Sequence, residues 1–299
     1  MFETFIQKLQ NESFLTLETT PGHSALCDEI IDTITDLNLH NMVDGFTTTD
    51  SPLSKLKLSS LFGAVALQQK LHKPVIATMS MRDRNSIALQ SDLLGANGFD
   101  IRAILALTGD SVKISDQPNP KAVLEGDSTL LLKIIENFNK GVDLADKALK
   151  IAPSHIYPFA VSPSDVSKKE SLLKKMTKKL NNGAIAIITQ PLFNKEDIAP
   201  LIEIFEQAKK LSAKKDAQLI IGSFPVVKFK TANFLHHKVP GANIPQKWLE
   251  SLEHAKDEYS VGFELSLEVF EAIMSHHGKC HLMAANNFAL AQKLIQSQR

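Results

Sequence analysis

The chain has 299 residues, 43% of them apolar, and its 33 acidic and 33 basic side chains cancel to a formal charge of zero. A neutral balance supplies no global field for nucleic acid or an anionic membrane surface, and no apolar run reaches membrane-spanning length. Only two cysteines occur, Cys27 and Cys280, without metal-ligand spacing, which suits a reducing cytosol.

The segment Met1–Gln10 has an amphipathic helical pattern and lacks the apolar centre of a signal peptide. Strand-like runs then alternate with stretches of helical period. The expected strands are Phe14–Glu18, Asn41–Thr48, Val75–Met79, Ala103–Leu107, His155–Val161, Ala184–Thr189, Gln218–Phe224 and Lys279–Met283. Expected helices between them include Ala25–Leu37, Lys55–Leu71, Ser86–Gly98, Leu130–Asn139, Ser167–Leu180 and Lys195–Leu211. Alternation of this kind argues for a parallel sheet, and eight units close most simply as a barrel. The expectation is an α/β protein, one (β/α)8 TIM-type domain over residues 1–299, located in the cytoplasm.

Polar residues gather where the expected strands end. The first ends in Glu18-Thr19-Thr20-Pro21-Gly22, where the Pro-Gly turn holds a carboxylate at the barrel mouth. The second ends in Thr47-Thr48-Thr49-Asp50-Ser51-Pro52, also a good turn sequence. After the third comes Arg82-Asp83-Arg84-Asn85, which can equally cap and charge the following helix.

The fourth strand is the most informative. Its unbroken apolar run Ala103–Leu107 stops at Thr108-Gly109-Asp110. A lone Gly-Asp is an ordinary turn. Here a long loop follows, through Pro120-Lys121-Ala122-Val123 to Asp127-Ser128, and long ordered loops tend to be functional. Asp127-Ser128 also reads as a helix N-cap.

The later strands add fewer signals. The helix expected after the fifth strand is lysine-rich and by itself reads as a solvated face. The sixth strand ends in Thr189-Gln190-Pro191, whose amide offers both a donor and an acceptor. Three rival motifs fail. His236-His237 and His276-His277 are adjacent pairs that share no helical face, no Gly-x-Gly-x-x-Gly opens a helix, and no Ser, His and Asp arrangement has a nucleophile context.

The block Arg82–Asn85, Leu89-Gln90-Ser91-Asp92-Leu93-Leu94-Gly95-Ala96, Thr108-Gly109-Asp110 and Asp127-Ser128 resembles the methylenetetrahydrofolate reductase family. It is similar in particular to the branch found in acetogens and in fusions with homocysteine methyltransferases, and the similarity runs from about Phe14 onward. The resemblance implies a flavin-bearing barrel that reduces 5,10-methylenetetrahydrofolate to 5-methyltetrahydrofolate in one-carbon and methionine metabolism. It implies FAD in preference to FMN, with NADH or NADPH as electron donor.

By position, the resemblance makes Glu18 the acid and Asp110 the carboxylate near flavin and folate. Thr49, or Thr48 if the register slips, would lie against the flavin together with Thr108 and Gly109. Asp127 and Ser128 would approach the cofactor's ribose or phosphates, Lys179 its diphosphate, while Gln190 and Phe234 would bind folate. Three departures stand out. Thr78 replaces the family's usual histidine, Leu172 an acidic flavin ligand, and the Asn286-Asn287 region lacks a substrate-binding arginine. They leave two alternatives open: a flavin-independent NAD(P)H-dependent reductase of the same substrate, or a folate-binding or complex-forming subunit with little activity. No metal, nucleic acid or membrane is expected, and a homo-oligomer or an electron-donor protein remains open as partner.

Overall fold

The computed structural model describes residues 1–212, 214–239 and 241–298. Eight strands form a closed parallel barrel in sequence order, with β8 pairing back onto β1. They are β1 (Phe14–Thr19), β2 (Gly45–Thr48), β3 (Val75–Ser80), β4 (Ala103–Leu107), β5 (Tyr157–Ser162), β6 (Ala186–Pro191), β7 (Gln218–Ser223) and β8 (Lys279–Leu282). The helices are α1 (Phe2–Asn11), α2 (Asp28–Asp36), α3 (Ser60–Leu71), α4 (Ser86–Gly98), α5 (Ser128–Asn139), α6 (Lys169–Asn181) and α7 (Ile198–Ser212). They continue with α8 (Phe229–Lys238), α9 (Gln246–Glu253), α10 (Glu258–His276) and α11 (Phe288–Ser297). The expected (β/α)8 barrel is therefore present.

Two boundaries differ from expectation for identifiable reasons. The second strand begins at Gly45 rather than Asn41, because Asp44 meets β1 through its side chain, its Oδ2 accepting from Leu15 N at 2.8 Å. Leu39–Asn41 is instead a short 3-10 turn. The third helix begins at Ser60 rather than Lys55, because Lys55 (φ −98°, ψ 145°) and Ser59 (φ −51°, ψ 132°) both lie outside the helical region.

The strands are apolar on both faces because both faces are buried. Outward residues such as Leu17, Phe46, Ala77, Ile104, Ala160, Ile187 and Ile221 pack under the helix ring. Inward residues Phe14, Ile76, Ala103, Leu105, Phe159, Ala186, Ile188 and Ile220 fill the lumen together with Phe2, Phe5, Ile6 and Leu9 of α1. The apolar stripe of α1 thus closes the N-terminal end of the barrel. Arg102 fastens it there with a two-pronged ion pair to Glu3, 2.7 and 3.0 Å. With that end plugged, the open end of the lumen lies at the C-terminal ends of the strands.

One irregularity interrupts the strand ladder at that end. Between β6 and β7, Ile188 pairs with Ile220 but Pro191 pairs with Gly222, so β6 carries one residue more than its partner. The Thr189 hydroxyl fills the broken ladder by accepting from Gly222 N at 2.9 Å. Gly222 tolerates this close approach because it has no Cβ: one there would meet Thr189 O and lie 2.6 Å from Met283 Cε. We expect Gly222→Ala to cost about 1–3 kcal/mol in urea unfolding through overpacking. It should also weaken ligand binding at Gln190, because the displaced backbone is that of residues 189 and 190.

Candidate active site

The strand ends enclose a cavity of about 590 Å³. Its walls include Glu18 of β1, Thr49 and Asp50 after β2, Thr78 of β3, Thr108–Asp110 after β4 and Asp127–Thr129 at the start of α5. Lys175, Lys178 and Lys179 of α6, Gln190 of β6, and His281 and Met283 of and after β8 complete it. Nine of the ten residues expected to form the site, all but Phe234, line this one cavity. Phe234 lies on α8, 46% exposed, and borders a separate shallow depression with Lys230 and His237.

The β4 end is built around Gly109. Its φ of +97° is a conformation that disfavours side chains, and a Cβ there would lie 2.7 Å from Arg82 Cβ. That turn sends Asp110 across to the β2 loop, where its Oδ2 accepts from Leu53 N at 2.6 Å. Leu53 has φ 54°, and its neighbours Ser51 and Ser54 are also left-handed. Such a cluster of strained non-glycine residues persists only where its surroundings over-determine it. Here Arg82 donates to Ser51 O at 3.2 Å and Ser115 to Ser54 O at 2.6 Å. Asp110 is therefore a tie between two loops as well as an exposed carboxylate at the cavity wall.

The Arg82–Asn85 run divides its work. Asn85 caps α4, accepting from Ala88 N at 2.8 Å, as the capping reading expects. Arg84 is instead largely buried between Asp50, at 2.6 Å, and Asp92, at 2.9 Å, and Asp50 also accepts from Ser80 N. Arg82, 3% exposed, pairs with Asp83 at 2.5 Å. The Asp83 hydrogen bond holds its guanidinium above the ordinary range against the opposing effect of burial, and the charges of Asp83, Asp50 and Asp110 add to it. This buried network stiffens the wall that carries Asp110.

The opposite wall is cationic. Asp127 caps α5 through Thr129 N at 2.9 Å and pairs with Lys178 at 2.5 Å. Those hydrogen bonds, from Lys178 first and then Thr129, hold its carboxyl at about 2. Ser128 N reaches Thr108 Oγ1 at 3.3 Å, tying the start of α5 to the end of β4. Lys179 donates to Val161 O, and burial lowers its ammonium to about 8. Among the described residues, Thr49 Oγ1 in the cavity wall is buried without a hydrogen-bond partner. A ligand with a polar ring edge near Thr49 and phosphates near α5 and α6 would satisfy that hydroxyl and the lysines, so these residues fit a flavin dinucleotide.

The departures from the family pattern have structural consequences. Thr78 is buried at the cavity wall, with its carbonyl accepting from Ser60 Oγ at 2.5 Å. Leu172 is 2% exposed and borders an adjoining cavity of about 310 Å³ shared with Lys175 and Gln190. Asn286 is spent on Thr20, accepting from its N at 2.8 Å and donating to its O at 2.7 Å. Asn287 caps α11. One residue escapes the sequence reading altogether. His281, 2% exposed on β8, accompanies Glu18 in the wall, with Nε2 3.8 Å from Glu18 Oε2. A histidine within the short run Lys279–Met283 was the only signal for it, and nothing local says which strand faces it.

A parallel barrel of this kind gathers strand-end carboxylates and lysines at its C-terminal face, the face at which barrel enzymes carry their chemistry. The methylenetetrahydrofolate reductase family matches residues 4–298, and the chain belongs to that family. Comparison with curated proteins returned no match. Among solved structures, the chain is similar to an uncharacterized protein from Clostridium thermocellum described as binding two copies of 5-methyl-5,6,7,8-tetrahydrofolic acid. The identity is 17%, with 97% of this chain and 98% of that one covered and a TM-score of 0.65. It is also similar to an F420-dependent secondary alcohol dehydrogenase in complex with an F420-acetone adduct, at 11% identity, 96% and 99% coverage and a TM-score of 0.61. At these identities the likeness concerns the fold. Among the described residues no helix is long and apolar enough to cross a membrane, and no three His, Cys, Asp or Glu side chains are grouped to hold a metal ion.

Proposed function

We propose that the chain is a flavin-dependent reductase converting 5,10-methylenetetrahydrofolate to 5-methyltetrahydrofolate. The observation that carries this reading is the convergence of Glu18, Asp110 and Gln190 on one cavity from β1, the β4 loop and the β6 bulge. Glu18 protonates the amine nitrogen that leaves the methylene carbon, and the C–N electron pair passes to that nitrogen as the ring opens. Asp110 faces the iminium cation that results, and its negative charge favours it. Gln190 matches the donors and acceptors of the pterin edge. Thr49, Asp127, Ser128 and Lys179 would hold a flavin, which when bound would supply the hydride.

Purified protein should carry FAD, or take it up, and should reduce methylene-folate with NADH or NADPH. A colourless protein that stays so after incubation with FAD and FMN contradicts the flavin assignment. Turnover by such a protein would instead favour direct hydride transfer from a nicotinamide. That second reading draws on buried Thr78 and Leu172, which bring no flavin ligand of the family's usual kind. Folate binding without turnover would favour a binding subunit.

Lys179 gives the flavin reading a pH signature. Its charged form is favoured below about 8 and lost above, so attraction for a diphosphate should weaken as pH rises through that value. FAD titrations should show this loss in wild type, and Lys179→Met should bind about tenfold more weakly with the pH dependence flattened.

A further inference from the structure

His281 is a buried titratable side chain that the reading above leaves without a task. We propose that it is a positioning and proton-supplying residue for Glu18, an inference that rests on the folate-reductase reading. Its imidazole spans β8 and β1. Nδ1 lies 2.9 Å from Thr16 Oγ1, and Nε2 lies 3.8 Å from Glu18 Oε2. Thr16 and Glu18 are two residues apart on one strand and so share its inward face, and Thr16 pairs in register with His281. The ring is thus held at one nitrogen and aimed at the carboxyl group with the other.

The chemistry needs such a partner. A carboxylate must receive a proton before it can act as an acid, and an imidazolium beside it can supply one. With the imidazolium formed, Nδ1–H donates to the Thr16 hydroxyl and Nε2–H faces Glu18. The Glu18 carboxylate takes the Nε2 proton, the Nε2–H electron pair staying on the now neutral imidazole. It passes a proton to the substrate nitrogen, which receives the electron pair of the C–N bond as that bond breaks. The charge balance is simple: the positive charge leaves the imidazolium and appears on the substrate iminium. Solvent returns a proton to His281 once product has left the open cavity. The present 3.8 Å is longer than a hydrogen bond, and catalytic contacts of this kind commonly tighten only when substrate is bound. Among the described residues, Glu18 is the charged group paired with the ring, and the neighbouring β7 residue, Gly222, carries no side chain.

The test combines a rate with a spectrum. In single-turnover folate reduction, His281→Gln should be slowed about 10²-fold. The wild-type rate should fall as rising pH removes the imidazolium, and that limb should vanish from the variant. Small acidic buffers should restore part of the variant's rate and leave wild type unaffected, an effect that lost packing cannot produce. Thr16→Val, which keeps the imidazole but removes its anchor, should lose rate in the same direction and covers the case of a poorly folded His281 variant. Independently of turnover, the imidazole ¹⁵N signals of His281 should move toward the neutral form in Glu18→Gln at mildly acidic pH. Unmoved ¹⁵N signals overturn the proposal, as does an unchanged rate with an unchanged pH profile in folded His281→Gln and Thr16→Val proteins. A wild-type protein that neither binds nor reduces folate defeats the functional reading itself, and the relay falls with it.

Discussion

In a Glu18→Gln variant, reduction of methylene-folate is expected to fall about 10²–10⁴-fold, the usual contribution of a general acid. Electron transfer from the donor to bound flavin should be spared. The amide keeps the size and most of the shape of the carboxyl, so the cavity wall and its neighbour His281 stay in place. What it cannot do is deliver a proton to the departing nitrogen. Measuring the two half-reactions separately checks this, because a general loss of structure would slow both. A variant that reduces methylene-folate within a factor of a few of wild type removes Glu18 from the acid role.

Asp110→Asn should act on both partners of the hydride transfer. A carboxylate beside the ring opposes the reduced, anionic flavin, so removing its charge should raise the midpoint potential. The same change withdraws stabilisation from the iminium cation, so folate reduction should slow although the flavin is easier to reduce. Because Asp110 is exposed and Arg82 already bears on it, the rate effect is expected to be about tenfold rather than the larger loss of a buried group. The substitution is clean in one respect: an asparagine carbonyl can still accept from Leu53 N, so the tie that restrains residues 51–54 survives. Potentiometry and single-turnover kinetics on flavin-loaded protein measure the two effects. If neither moves, Asp110 serves only as that tie.

The fold was legible because it is written in local pattern. A run such as Ala103–Leu107 is apolar at every position because both faces of the strand are covered, and eight strand-like runs alternate with helical stretches. The polar ends of those runs were legible for the same reason, since a change from apolar to polar marks where the strand leaves the core. Strand limits were less so. Asp44 and the left-handed residues 51–54 are set by partners far along the chain, among them Leu15 and Asp110.

Chain order alone therefore points to the barrel class and to the strand ends as the place for chemistry. It was the resemblance to the family that singled out Glu18, Asp110 and Gln190 there. Closure of the barrel decides which of these meet. The extra residue in β6, which pairs Pro191 rather than Gln190 with Gly222, is a property of its register against β7 that no local propensity encodes. The pairing of β8 with β1 brings His281 to Glu18 across a separation of more than two hundred and fifty residues. The same closure leaves Phe234 on an outlying helix and buries Arg82 and Arg84 beneath the site rather than on a solvated helix face. The division has one physical cause. Periodicity reports how each segment meets water or core, whereas register and closure depend on the sum of weak contacts among all eight strands.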